Sequence, residues 1–355
     1  MRFERVRLSN FRNYASLDFE PKPGLNVFVG ANAQGKSNLL EALALLATGK
    51  SFRAHREADL VRAGSDRADV GGAARVAAGT IRLRCSIAKN ATGIRKTFEL
   101  NEGAVGFARF LGRTRVVAFV PDDLQLVGGG PALRRAFLNG ALAQVSPPYY
   151  RELAAYGKIV QQKQALLRGA IAPDRELLLT YNEALVAPAE ALIAARRQFV
   201  EELASATAAT YARWSAPRER LDLQYAPSPA GSVAEALAAN VDAELRRRTT
   251  LVGPHRDELR LLIDGRALAA FGSQGQQRTA VLALKVAEYD VMRARTGEAP
   301  ILLLDDVLSE LDVERARGFL HAVTGFEQAF LTATEAPAAG EAAYWTIAAA
   351  TVSPC

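Results

Sequence analysis

The apolar positions change period twice in the first fifty residues. "RFERVRLSNF" and "SLDFEP" alternate loosely, "GLNVFVG" is a short unbroken apolar run, and from Ser37 to Ala47 apolar residues recur at helical spacing. Alternation predicts strands with one covered face, and an unbroken run closed by glycine predicts a strand covered on both. Between Asp69 and Val120 the runs "DVGGAARVAAG", "TIRLRCSIAK", "IRKTFEL" and "TRVVAFV", with "KNATG" and "NEG" between them, predict an antiparallel sheet. From Leu133 to about Trp214 the period is helical throughout. Tyr149, Leu153, Tyr156, Val160 and Leu167 form one stripe; Tyr181, Leu185, Leu192, Ala195, Phe199, Leu203 and Tyr211 form a second. Pro188 lies inside the second run and predicts a bend or break there.

Strands then return in "RLDLQYA" and "ELRLLIDGRAL", where Asp264-Gly265 reads as a hairpin turn. A helix around Val233 to Arg247 falls between them, and a longer one follows in "GQQRTAVLALKVAEYDVM". A buried strand "PILLLDDV", a helix near Glu314 to Val323 and a strand "QAFLTAT" complete the pattern. A helical block between two strand-rich stretches points to an α/β head divided by an insertion. The expected segments are 1–128, 129–218 (the helical arm) and 219–355.

Composition narrows the class. The 355 residues are 49% hydrophobic and 23% charged, enough for a full core. The two cysteines, Cys85 and Cys355, supply neither a disulfide framework nor a zinc site, which suits a reducing, cytoplasmic setting. "MRFERVRLSNFR" lacks the apolar stretch of a secretory leader. Runs such as "AVLALKVA" and "AAYWTIAAATV" are too short to span a bilayer, so no membrane partner is expected. Net charge is +6, with most of the 44 cations being Arg, which makes a polyanionic partner reasonable.

Three motifs carry chemistry. Gly30, Ala31, Asn32, Ala33, Gln34, Gly35, Lys36 and Ser37 fit G-x-x-x-x-G-K-[ST] between a strand and a helix. That spacing lets backbone N–H groups cradle phosphates, Lys36 reach the β/γ oxygens and the Ser37 hydroxyl ligate Mg²⁺. In "ILLLDDVLSELD" four apolar residues deliver Asp305 to a strand end, where it can serve Mg²⁺, with Asp306 beside it as a base that orients water. Read without the first motif, the two acids are helix-capping or loop residues. "FGSQGQQR", with Ser273, Gly275 and Gln276, opens a helix. It offers amides and a hydroxyl to an anion, or is simply an N-cap.

The order of these motifs is that of ABC-type ATPases. Together with "GKSFR", "FVPDDLQLV", "RRAFLN" and "LVGPHRDEL" they make the chain resemble the RecF family, relatives of SMC proteins, from the first residue to about Thr334. The resemblance implies an ABC-ATPase head with a mixed sheet, an antiparallel lobe and a helical arm. It implies ATP at Gly30 to Ser37, Mg²⁺ at Ser37 and Asp305, Asp306 as the catalytic acid beside Lys36, a signature motif at Ser273, Gly275 and Gln276, and a D-loop at Ser309 to Asp312. It also implies a homodimer closed by ATP, DNA binding in that state, RecR as partner and RecO in the same pathway to load RecA at gaps, with a link to SOS induction. Ala33 stands where the family has glycine. Asp306 is one methylene shorter than the glutamate of most ABC ATPases, which implies slow turnover. The arm stretch "QQKQALL" departs from the family's pattern. No histidine follows "AFLTAT", leaving Thr332 or Thr334 to reach the γ-phosphate.

For DNA the candidate cations are Lys50, Arg53 and Arg56 after the first helix and Arg246, Arg247 and Arg248 before "GPHRDE". Each taken singly reads more readily as a solvated surface charge. His255 and Arg256 lie near the nucleotide or stabilise the head, or equally belong to a capped turn. A transporter's ATP-binding subunit and an SMC-like tether are the competing classes. The helical insertion and the "SQGQQ" signature disfavour the first, and the short arm disfavours the second.

Overall fold

The computed structural model describes residues 1–355 except 55, 92, 170–172, 216–218, 308–325 and 338–340. The D-loop expected at Ser309 to Asp312 and the helix near Glu314 to Val323 lie outside the described residues. In chain order the strands are β1 (Arg2–Phe11), β2 (Tyr14–Phe19), β3 (Gly24–Val29), β4 (Arg67–Val76), β5 (Gly79–Asn90), β6 (Gly93–Leu100), β7 (Gly103–Val105) and β8 (Val116–Phe119). They continue with β9 (Leu221–Ala226), β10 (Glu258–Ile263), β11 (Arg266–Ala267), β12 (Ile301–Leu304), β13 (Gln328–Ala333), β14 (Ala342–Ala348) and β15 (Thr351–Pro354). The longer helices are α1 (Lys36–Thr48), α2 (Pro131–Val145), α3 (Pro147–Arg168), α4 (Arg175–Trp214), α5 (Val233–Ala239), α6 (Val241–Arg247) and α7 (Gln274–Thr296).

The chain divides into two compact units, one of Met1–Asp123 with Glu288–Cys355, the other of Leu124–Ala287. The second boundary differs from the expected residue 219. The β11-β10-β9 sheet and the start of α7 group with the helices, because β9 packs on α4 and β10 on α2.

Two six-stranded sheets form the first unit. One, β2-β1-β4-β5-β6-β7, is antiparallel; the other has the order β15-β14-β3-β13-β12-β8. In the latter, β14, β3, β13, β12 and β8 run parallel and β15 closes the edge antiparallel. The run containing β8, grouped with the antiparallel lobe on sequence, instead pairs Val116–Phe119 with Ile301–Leu304. Its unbroken apolar character is that of a parallel strand covered on both faces. Helix α1 touches strands of both sheets, and Leu39 to Ala47 are buried without interruption. A helix apolar on every side is stable only when enclosed in this way.

In the second unit, α4 runs for 40 residues through Pro188 without a break there. The proline removes one i→i−4 bond, but the carbonyl it frees belongs to exposed Ala184, which solvent can reach. Buried Leu185, Ala189 and Leu192 hold the turns on either side. By length and mean hydropathy alone α4 qualifies as a membrane span, yet its buried residues recur along one stripe packed on α3 and β9, as in a core helix. The helix expected over Val233–Arg247 is two short ones interrupted at Asn240, whose amide nitrogen bonds back to the Ala236 carbonyl. The Asp264-Gly265 turn joins β10 and β11 with both residues at positive φ (48° and 76°), as a two-residue hairpin requires.

A polar network fills the core of this unit. The Arg196 guanidinium, 2% exposed, donates to Asp257 Oδ2 (2.6 Å), the Pro254 carbonyl (2.7 Å), Asn139 Oδ1 (2.8 Å) and Tyr149 Oη (3.0 Å). Asp257 also accepts from Tyr225 Oη and from the Ser228 amide. The "RRAFLN" and "LVGPHRDEL" stretches thus meet in one buried cluster, where the Arg196 charge is met by Asp257 and avoids the cost of an unpaired buried charge.

Candidate functional site

β3 is buried along Leu25–Phe28 and delivers Gly30 to the mouth of the parallel sheet. A Cβ on Gly30 would be driven into the carbonyl oxygen of Ile347 on β14, so only glycine fits. Gly35 turns the chain into α1 at φ 118°. Ala33 adopts φ 64°, a left-handed conformation that costs an L-residue about 1–2 kcal/mol.

The surroundings hold that loop from both sides. Tyr14, fully buried, donates its hydroxyl to the Gly35 carbonyl (3.1 Å), and Asn13 Nδ2 donates to the Gln34 carbonyl (3.2 Å). From the β14–β15 turn, the Ala350 amide donates to that carbonyl (3.1 Å) and the Ala349 amide to Gln34 Oε1 (2.7 Å). Inside the loop, Lys36 Nζ donates to the carbonyls of Gly30 (2.6 Å) and Ala31 (2.9 Å). Burial lowers its pKa against the opposing charges of Asp306 and Asp305. A glycine-bounded turn opening the enclosed helix α1 is suited to an oxyanion.

Asp305 extends β12, its amide bonding the Phe119 carbonyl (2.9 Å). Its Oδ1 accepts from Ser37 Oγ (2.7 Å) and from Thr332 Oγ1 (2.9 Å), a hydroxyl that also accepts from the Asp306 amide (2.9 Å). Burial raises the Asp305 carboxyl above the usual range, and Asp306 adds to this. The Ser37 and Thr332 bonds and the positive charge of Arg53 act in the opposite direction. Asp306 is exposed and left-handed, φ 53°. Thr332 is therefore committed to the two aspartates within this chain.

A hydroxyl and a carboxylate this close form a hard-oxygen donor pair suited to Mg²⁺, which is usually held by one or two carboxylates plus substrate phosphates. Among the described residues there is no cluster of three or more His, Cys, Asp or Glu able to hold a metal.

The third motif sits in the second unit. Ser273 Oγ accepts from the Gln276 amide (3.2 Å), and Gln276 Oε1 accepts from the Ser273 amide (2.7 Å), a reciprocal capping box at the start of α7. Ser273 is exposed.

The candidate cations fall in both units. Lys50, Arg53 and Arg56 are exposed on the segment after α1. That segment is tied down by Ser51, whose hydroxyl bonds buried Glu41 and accepts from the amides of Arg53 and Ala54, while Arg12 grips Glu41 through two bonds of 2.7 and 2.8 Å. Arg246, Arg247 and Arg248 are exposed at the end of α6 in the other unit. His255 packs on Tyr156 within the second unit (Nδ1 to Oη 2.5 Å), and burial lowers its pKa to about 4.

A family model described as "RecF/RecN/SMC N terminal domain" matches residues 2–346. The chain is 41% identical over 350 residues to the DNA replication and repair protein RecF of Symbiobacterium thermophilum, covering 94% of this chain and 92% of that one. It is 37% identical over 343 residues to RecF of Geobacillus thermodenitrificans, covering 93% and 91%. The chain belongs to the RecF family.

The RecF-type fold is equally clear in three dimensions. A solved structure of the recombination mediator protein RecF with ATP in the RecFOR pathway superposes with a TM-score of 0.91 at 30% identity, covering 100% of this chain and 97% of that one. An SMC head bound to the C-terminal winged helix of ScpA shares the fold at 15% identity and a TM-score of 0.59. In this RecF-family chain the sequence motifs locate Gly30–Ser37, Asp305 and Ser273. Asn13, Tyr14, Ala349 and Ala350 escape them, because their contacts reach the loop from 21 residues away (Asn13, Tyr14) or more than three hundred (Ala349, Ala350) and carry no local pattern.

Proposed function

We propose that the chain is an ATP-dependent DNA-binding protein of recombinational repair and replication restart, acting as an ATP-closed homodimer with weak, DNA-stimulated ATPase activity. Gly30 to Ser37 bind the phosphates of ATP, with Lys36 exchanging its two loop carbonyls for β/γ oxygens. Ser37 and Asp305 hold Mg²⁺, which when bound neutralises developing phosphate charge. Asp306 orients the attacking water, and its short side chain makes turnover slow. Ser273, Gly275 and Gln276 of a second copy face the same γ-phosphate, so ATP closes the dimer and hydrolysis opens it.

One observation carries this reading: the 2.7 Å bond joining Ser37, in the first turn of α1, to Asp305, at the end of β12, 268 residues apart. It brings the phosphate loop and the acidic strand end to one point. The relative of 30% identity that was solved with ATP supports the same assignment. Lys50, Arg53, Arg56 and Arg246 to Arg248 are the proposed DNA contacts. No base-reading motif accompanies them, so affinity should fall with salt by a log–log slope of about −0.9 per neutralised phosphate. The family's pathway supplies RecR and RecO as partners and RecA loading at gapped DNA, with SOS induction downstream, in the cytoplasm.

Sedimentation velocity with and without ATP tests the core claim. Wild type should dimerise with ATP, Lys36→Ala and Ser273→Ala should stay monomeric, and mixing the two should restore at most one composite site. Either variant dimerising like wild type overturns the sandwich.

A further inference from the structure

The signature segment has a tie that its motif does not explain. Gln276 Nε2 donates to Glu219 Oε1 (3.0 Å), and the other carboxylate oxygen, Oε2, accepts from Tyr211 Oη (2.9 Å). Tyr211 is 1% exposed in the last turn of the 40-residue helix α4. A chain of side-chain bonds therefore runs from the end of α4 through Glu219 to the first turn of α7, all within the second unit.

The tie matters because of what the other end of Gln276 does. Its Oε1 occupies the Ser273 amide at 2.7 Å, and its own amide is turned toward Ser273 Oγ. The amides at the start of α7 are the donors that an incoming phosphate needs. While the Gln276 carboxamide is held, one of those donors is already satisfied. A carboxamide anchored at one end by a charge-assisted bond is harder to displace than a free one. Glu219 also places a negative charge one side chain away from where a negatively charged ligand must arrive, and like charges repel.

We infer that Glu219 is a positioning residue that latches Gln276 over the Ser273 amide, so that nucleotide-driven closure must first release a contact anchored to helix α4. This rests on the sandwich reading proposed above. It assigns the arm a role in that reading: Tyr211 fixes Glu219, Glu219 fixes the carboxamide, and the carboxamide withholds a phosphate donor.

Two measurements on the full chain test it. Amide hydrogen exchange of the peptide spanning Ser273 to Gln276, without nucleotide, should quicken about three- to tenfold in Glu219→Ala. Tyr211→Phe should produce a smaller change in the same direction. Unchanged exchange in both variants overturns the latch, whatever ATP does. With Mg²⁺ and ATP titrated, Glu219→Ala should reach half-dimerisation at an ATP concentration several-fold below that of wild type, with Tyr211→Phe between them. A requirement for equal or more ATP also overturns the latch. Wild type remaining monomeric at every ATP concentration overturns the sandwich instead, and is read separately from the exchange result. If Glu219→Ala melts well below wild type, the milder Tyr211→Phe decides both measurements.

Discussion

The Gly30–Ser37 loop and the Ser273–Gln276 segment are both turns that open a helix, yet they are built in opposite ways. The loop between β3 and α1 is held by Asn13, Tyr14, Ala349 and Ala350, all outside the loop's own stretch of sequence. Ser273 and Gln276 instead complete each other three residues apart, with Glu219 as their tie to the rest of the unit. A site assembled by tertiary contacts can store strain, as at Ala33 and Asp306, because the surroundings over-determine it. A site assembled locally stores little strain, and what resists its rearrangement is the single tie from Glu219 to Gln276.

The sharpest way to break this contrast is at Asp305. Asp305→Asn keeps an acceptor for Ser37 and Thr332 but removes the charge, so steady-state ATP hydrolysis should fall about 10²-fold or more. A carboxyl with a raised pKa penalises the folded state once ionised, so neutral-pH stability should not drop in that variant. A clear loss of melting temperature would show that the charge is structural.

Acid should separate the two units. His255 is held at about 4, below its ordinary 6.5, so its contribution is complete above pH 6.5 and is lost as pH falls toward 4. That is a loss of about 2–3 kcal/mol from the second unit. Asp305 acts in the opposite direction in the first, since protonation relieves its burial. Segment-resolved hydrogen exchange between pH 7 and 5 should therefore show α3 and the 254–256 turn loosening first. His255→Gln should flatten that pH dependence.

Gly30→Ala should cost about 1–3 kcal/mol by thermal melting, because the new methyl meets backbone rather than a yielding side chain. The smallest effect belongs to Ala33→Gly. It removes a left-handed alanine at the cost of a more flexible unfolded chain, for a net gain of up to about 1 kcal/mol. A loss of stability there would mean that the Ala33 methyl has packing value that outweighs its strain.

Much of the site was legible because its chemistry is local. Gly30 to Ser37 and the run ending in Asp305 each declare themselves within a dozen residues, and Ser273 with Gln276 within four. Elsewhere local pattern misled. Pro188 argued for a break that the buried flanks of α4 prevent, and "TRVVAFV" followed antiparallel runs yet joined the parallel sheet. Arg53 was read as a DNA contact, whereas its charge also acts on the Asp305 carboxyl, a proximity invisible in one dimension.

The order of residues alone determined which elements could form, since hydrophobic period and glycine placement act over a few residues at a time. It also supplied the phosphate loop and the aspartate that meets it. Which strands pair, which turns brace the loop and which carboxylate holds Gln276 were decided only in three dimensions. Those contacts join segments up to some 320 residues apart, such as the β14–β15 turn and Gln34. The free energy of the loop contacts depends on the packing of both sheets around α1, and that of the Gln276 contact on the packing of the second unit, quantities that no short stretch of sequence contains.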